Sequence, residues 1–164
     1  MIGGQAGKVI TLPKGIVVYL GYGELIFGRD PSEICPFPKV VGRYQLRIPG
    51  LTKGPGLDIS VTEVDDFNRS YSNYDVCLDG DKIGKELWVR AWDHGDRFQP
   101  VGMQKHKKLQ DFFVDTKVPR LWRKRIPLLV TERGIAWVVG YRVAQWAVVD
   151  ENSTSALSLR AVIS

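Results

Sequence analysis

The chain has 164 residues, 44% of them hydrophobic and 25% charged, with a net charge of +5 at neutral pH. That is enough chain and enough apolar content for one domain with its own core, which excludes disorder as the default. With no apolar run of membrane-spanning length, no signal-peptide pattern and only two cysteines, Cys35 and Cys77, outside any CxxC spacing, the expected setting is soluble and cytoplasmic, with reduced structural thiols.

Met1 to Lys8, with Gly3, Gly4 and Gly7, reads as a flexible leader ahead of a single domain over 9–164. From Val9 the texture is that of a β meander. Val9–Leu12, Ile16–Leu20 and Glu24–Phe27 are short β-branched and aromatic runs, separated by turns at Pro13-Lys14-Gly15 and Gly21-Tyr22-Gly23. Pro31, Pro36 and Pro38 make Asp30–Lys39 a connecting loop. Strand texture resumes at Val40-Val41 and Tyr44–Ile48, a loop covers Thr52–Gly56, and Leu57–Val64 alternates as a half-buried strand should.

Asp65-Asp66 is expected to be a turn or a solvated strand end and not a catalytic carboxylate pair, because adjacent residues on an extended chain point to opposite faces. After a polar stretch from Asn68 to Asn73, Tyr74–Ile83 suggests a hairpin turning at Asp79-Gly80. The acids Asp75, Asp79 and Asp81 lack the spacing and terminal glutamate of a calcium loop, and no metal site is expected. Leu87–Trp92 is the next strand. It ends the β-rich part over 9–85 and opens the motif-bearing part over 86–164.

The positive charge is concentrated from this strand onward. Between Val89 and Arg125 stand ten basic residues, Arg90, Arg97, Lys105, Lys107, Lys108, Lys117, Arg120, Arg123, Lys124 and Arg125, against four acids. That segment carries a net +6 and leaves −1 for the rest of the chain, the footprint of a polyanion-binding face. It has no long amphipathic helix for a membrane surface, so nucleic acid is the expected partner. Leu109, Phe112 and Phe113 form the apolar stripe of a short helix that Lys107 and Lys108 would begin. Lysines at a helix start oppose the macrodipole, and free amides beside two ammonium groups make an expected phosphate seat. A second short helix is predicted over Arg120–Arg125, opened by Pro119 and ended by Pro127, with Arg120, Arg123 and Lys124 on one face. Beyond it, Leu128–Thr131, Ile135–Gly140, Tyr141–Val149 and Ala156–Ile163 are expected core strands.

Many residue types at fixed offsets carry a family resemblance. These are Val89-Arg90, Gly95-Asp96-Arg97-Phe98-Gln99-Pro100, Gly102-Met103, Lys107–Phe113, Lys117-Val118-Pro119-Arg120, Arg123, Ile126-Pro127-Leu128 and Ile135–Gly140. The segment from Trp88 to Arg142, about a third of the chain, closely resembles the C-terminal domain of tRNA(Ile)-lysidine synthetase. The resemblance implies an α+β fold of mostly antiparallel sheets with two short helices, shared with a domain of the phenylalanyl-tRNA synthetase β chain. It implies a tRNA-binding part of an enzyme that joins lysine to the wobble cytidine of a minor isoleucine tRNA. ATP and Mg would belong to an N-terminal catalytic domain whose Ser-Gly-Gly-x-Asp-Ser loop is not found in these residues. No cofactor and no catalytic residue are expected within this chain.

The RNA-binding candidates are Arg90, Arg97, Lys105, Lys107, Lys108, Lys117, Arg120, Arg123 and Lys124. Gly95, Asp96, Phe98, Pro100, Gly102, Leu109, Phe112, Phe113, Pro119 and Pro127 are the structural motif residues. Where the family usually has a glycine before the two lysines, this chain has Gln104-Lys105-His106. Two other readings are weighed. One is a docking or dimerisation module using the apolar strands. The other is a small hydrolase using His94 or His106 with Asp93 or Asp96, which lacks a nucleophile elbow.

Overall fold

Short β-branched runs set the architecture in the computed structural model, which describes residues 8–21, 23–30, 35–65 and 72–164. The leader over 1–7, Tyr22, Pro31, Asp66 and the polar stretch over 68–71 lie outside the described residues. Strands β1 (Val9–Leu12), β2 (Ile16–Leu20) and β3 (Leu25–Gly28) form a three-stranded meander. A 3₁₀ turn at Pro13–Gly15 joins the first two, with Lys14 and Gly15 at positive φ. Lys8 already belongs to this unit, since its carbonyl accepts from the Leu20 amide at 2.9 Å.

The rest of the chain builds two larger sheets. Strands β4 (Arg43–Gln45), β5 (Gly50–Gly54), β6 (Leu57–Val64), β7 (Asp75–Asp79), β8 (Trp88–Arg90), β9 (Arg97–Phe98), β10 (Lys107–Lys108), β11 (Leu128–Thr131), β12 (Gly134–Val138), β13 (Arg142–Val143) and β14 (Ala156–Ile163) follow in order. One sheet runs β13-β12-β11-β8-β4 and the other β5-β6-β14-β7, while β9 and β10 make a separate ribbon. All the pairings of these strands are antiparallel. The fold is therefore α+β with mostly antiparallel sheets and few helices. Because β4 pairs with β8, and β14 with both β6 and β7, the parts before and after residue 85 share their sheets.

One buried cluster joins the layers. It includes Leu57, Ile59 and Leu159 from the four-stranded sheet, Val89, Leu129 and Trp137 from the five-stranded one, and Leu109, Phe112 and Phe113 from the helix. Burial on both faces explains the near-continuous apolar runs of β11 and β12. Cys35 and Cys77 are buried free thiols.

Several local expectations are corrected. Val40-Val41 is not strand, and the Thr52–Gly56 loop is mostly β5, with only the turn at residues 55–56 left over. The run from Tyr141 to Val149 yields only the two-residue β13 and a 3₁₀ turn at Gln145–Ala147. Asp79-Gly80 is not a hairpin turn. It opens α1 (Gly80–Ile83), with Asp79 as N-cap accepting from the amides of Asp81 at 2.9 Å and Lys82 at 3.0 Å. β7 instead pairs with β14.

The suspected acidic trio is used up in this corner. Asp75 takes the Arg160 guanidinium at 2.7 Å, and Asp81 accepts from the hydroxyls of Thr154 at 2.7 Å and Ser155 at 2.9 Å. Asp79 is 1% exposed, accepts from Ser153 Oγ at 2.5 Å and pairs with Lys82 at 3.0 Å. Its burial raises the pKa, but hydrogen bonds from Ser153 and Lys82 outweigh that and hold the carboxyl below its ordinary value. A depressed folded pKa adds stability that is complete above the unfolded value, about 4, and fades as pH falls through the folded one. Asp79→Ala is therefore expected to cost about 2–3 kcal/mol at pH 7, from the lost cap and the broken buried pair. The cost should shrink in acid, and urea melts at pH 7 and pH 3 check both magnitude and trend.

Candidate nucleic-acid interface

Asp96 organises the glycine-bearing loop that precedes the ribbon. Its carboxylate holds Arg90 through two bonds of 2.7 Å and accepts from the Asp93 amide at 2.8 Å. Its carbonyl accepts from the Leu109 amide at 2.8 Å, while its amide donates to the Asp93 carbonyl at 3.2 Å. Gly95 sits inside this turn at φ 91°, a conformation that L side chains rarely adopt. The hydrogen bonds that Arg90 donates to Asp96 push its pKa still higher against the opposing effect of burial. Arg90 is thus engaged by the scaffold through Asp96, unlike the exposed cations of the ribbon.

The ribbon itself brings two cations together. In the register of β9 with β10, Lys108 lies opposite Arg97, and Lys107 opposite Phe98. Arg97 and Lys108 are exposed, whereas Phe98 is buried and meets Phe112 edge-on, with ring centroids 5.0 Å apart. Like charges directly opposite in an antiparallel pair repel, and neither side chain has an ion-pair partner among the described residues. Lys105 is exposed in the bend between the two strands.

The helix start differs in detail from the expectation, with Lys108 as the N-cap of the helix and not within it. Lys107 and Lys108 are strand, α2 (Leu109–Asp115) begins only after them, and its first amide is already bonded to Asp96. Lys107 is half-buried and paired with Asp115. The apolar stripe is as expected, with Leu109, Phe112 and Phe113 all buried.

Past α2 stands a second basic group. Lys117, at φ 57°, Arg120 and Lys124 are exposed. The predicted helix over Arg120–Arg125 is instead a turn followed by a 3₁₀ turn at Arg123–Arg125. Arg123 points back to the scaffold, its Nε donating to the Val118 carbonyl at 3.1 Å. Pro119 and Pro127 are buried. Seven helical residues span about 10 Å, so the two basic groups flank a short rigid spacer.

Gln145 is a residue that the pattern of the sequence did not single out. Its Oε1 accepts from the Gly102 amide at 2.8 Å, and its backbone N–H donates to the Gln99 carbonyl at 2.8 Å. With the bridge between Pro100 and Ala144, this pins the 99–103 loop to the end of the five-stranded sheet. A polar residue interrupting an apolar run was the only signal.

The hydrolase reading finds no constellation. His94 and His106 are exposed, the Asp96 carboxylate is occupied by Arg90, and Asp93 Oδ1 accepts from the His94 amide at 2.7 Å. A cleft of about 630 Å³ lies elsewhere, lined by Val76, Cys77, Trp137, Tyr141, Arg142 and Val143 among others, and neither histidine reaches it. Burial pushes the Tyr141 hydroxyl there up to about 12, which leaves it no base near neutrality.

Residues 87–159, which contain the loop, the ribbon, α2 and the second basic group, match the family described as the TilS substrate C-terminal domain. The tRNA(Ile)-lysidine synthase of Dehalococcoides mccartyi is 38% identical over 155 residues, covering 93% of this chain and 33% of the relative. The chain belongs to the tRNA(Ile)-lysidine synthase family, as a C-terminal part. The synthase of Caldanaerobacter subterraneus is 37% identical over 154 residues, 90% of this chain and 32% of that protein. The chain thus spans about a third of the length of the curated lysidine synthases it matches. A crystal structure of a TILS C-terminal domain superposes with a TM-score of 0.64 at 26% identity, covering 74% of this chain and 98% of that one.

Proposed function

We propose that this chain grips tRNA through phosphates, using Arg97, Lys105 and Lys108 on the ribbon side of α2 and Lys117, Arg120 and Lys124 on the other. The observation that carries this reading is the exposed cross-strand pair of Arg97 and Lys108, whose mutual repulsion an anion would relieve. Arg90, Lys107 and Arg123 hold the surface in place through Asp96, Asp115 and Val118.

Within a full-length synthase the role is to position a minor isoleucine tRNA in the cytoplasm. A separate catalytic domain, with ATP and Mg, would convert the wobble cytidine to lysidine. Family membership and the match to the C-terminal domain support that division of labour. The 164-residue chain alone performs no ligation in this reading.

Duplex RNA hides its base edges in a deep major groove, so recognition here is by shape and charge. Each phosphate contact releases counterion, with a slope in log K against log salt of roughly 0.9 per contact on duplex DNA. Fluorescence anisotropy of labelled tRNA across a salt series is expected to give a slope of about 3–5, with little preference among stems. A slope near zero, or lysidine formed by the chain alone, would overturn the reading.

A further inference from the structure

The register of the β1–β3 meander sorts its residues into two unlike faces. Val9 pairs with Tyr19 and Tyr19 with Ile26, which puts these three on one side. That side faces the domain at Tyr19 and Ile26, while Val9 at its outer edge is 49% exposed. Tyr19 is 1% exposed, and its hydroxyl accepts from the Arg120 amide at 2.9 Å. The other side carries Ile10, Leu12, Ile16, Val18, Leu20, Leu25 and Phe27 by the same register. Every one of the seven is a large apolar side chain. Five stand in solvent, at 48% for Ile10, 40% for Leu12, 40% for Ile16, 46% for Leu25 and 60% for Phe27.

A sheet face of this composition is built to be covered, because stable domains bury such faces under a second layer. Five large side chains at about half exposure offer on the order of 400 Å², within the range of the largest apolar patch on a typical monomer, which is often functional. It is about half of the roughly 800 Å² per partner of a standard interface between separate molecules. A second copy docking through this face alone falls short. A segment of the same polypeptide does not, since tethering supplies a high effective concentration and a small contact suffices. The relatives have such a segment, because about two-thirds of their length lies outside the part that this chain matches. The meander itself precedes the region that matches the C-terminal domain family.

We infer that this face is the docking surface for the part of the synthase that precedes this chain in full-length family members, and that the docked surface is apolar and uncharged. The inference rests on the function proposed above only in placing this chain within a longer synthase. It would set the direction in which the basic surface is presented, because Tyr19 ties the meander to the turn that carries Arg120.

The test needs no RNA, so its failure is separable from failure of the tRNA reading. Amide exchange over residues 9–28 is measured in the 164-residue chain alone and in a chimera with the preceding two-thirds of the Dehalococcoides mccartyi synthase fused before it. At least tenfold slower exchange, with loss of binding of an apolar dye, is expected in the chimera. Leu25→Asp with Phe27→Asp should restore fast exchange there, while Phe27→Leu should not. Thermal melts of the isolated variants should match that of the unaltered chain, since both positions are exposed. Equal exchange in chain and chimera would overturn the inference. So would sedimentation showing that the isolated chain dimerises with protection rising with concentration, because the occupant would then be a second copy.

Discussion

Replacing Arg97 and Lys108 together by alanine is expected to flatten the salt dependence of tRNA binding by about 2 units, and to weaken binding on the order of 50-fold at 0.1 M salt. The two side chains face each other across the ribbon and are exposed, so each is free to meet a phosphate. The loss should be nearly the same for unrelated stems, because a phosphate contact carries no sequence information. Stability should hold or rise slightly as the cross-strand repulsion disappears. Lys107→Ala is the informative contrast. Its ammonium is already paired with Asp115, so it should change the slope far less. Anisotropy titrations beside thermal melts check all of this. A double variant with an unchanged slope and a lowered melting temperature would show that the ribbon is scaffold and not contact surface.

The second large effect runs against simple charge counting. Asp96→Ala removes a negative charge from a basic region, and electrostatics alone forecasts tighter tRNA binding. The geometry forecasts the reverse. Asp96 and Arg90 are mostly buried, with side chains 13% and 26% exposed, and deleting the carboxylate strands a guanidinium. It also releases the Asp93 amide that the carboxylate accepts from at 2.8 Å. A cost of about 3 kcal/mol is expected, near the lower end for breaking a buried pair. In a domain of this size that is roughly a 10 °C fall in melting temperature. With the turn loosened, Arg97 loses its fixed place and tRNA affinity should drop. Asp96→Asn keeps an acceptor and should fall between. Tighter binding with an unchanged melt would reduce Asp96 to a surface charge.

Much of this surface is legible in the residues alone, and the illegible parts have physical causes. The concentration of cations between Arg90 and Arg125 needs only counting, and the stripe of Leu109, Phe112 and Phe113 needs only the helical period. The half-buried strand at Leu57–Val64 shows in its alternation. What counting cannot reveal is which cations are already neutralised. Arg90 and Asp96 are six residues apart across a turn, a separation with no fixed geometry until Gly95 adopts positive φ. Asp79-Gly80 misleads because one dipeptide serves both a hairpin turn and a helix N-cap. The choice fell to β14, which takes the place beside β7 that a hairpin partner would have filled. Arg120–Arg125 has the composition of a helix, but Arg123 turns back to the Val118 carbonyl and Pro127 stands close behind, leaving room for only a 3₁₀ turn.

The placement of β14 bears on how the protein can be made. In the order β5-β6-β14-β7 the strand formed last in the chain is an inner one, and it alone joins β6 to β7. Its eight residues pair with β6, which leaves the ribosome about a hundred residues earlier, and five of them also pair with β7, about eighty residues earlier. Until residues 156–163 emerge, β7 has no neighbour, and one edge of β6, with Leu57, Ile59 and Val61 facing the future core, stands open. Closure of so many long-range contacts only after residues 156–163 have emerged is slow, and open apolar edges in the interval invite association. A chaperone that shields nascent chains should therefore raise the soluble yield of this protein most when translation pauses before Ala156, and little once that strand is out.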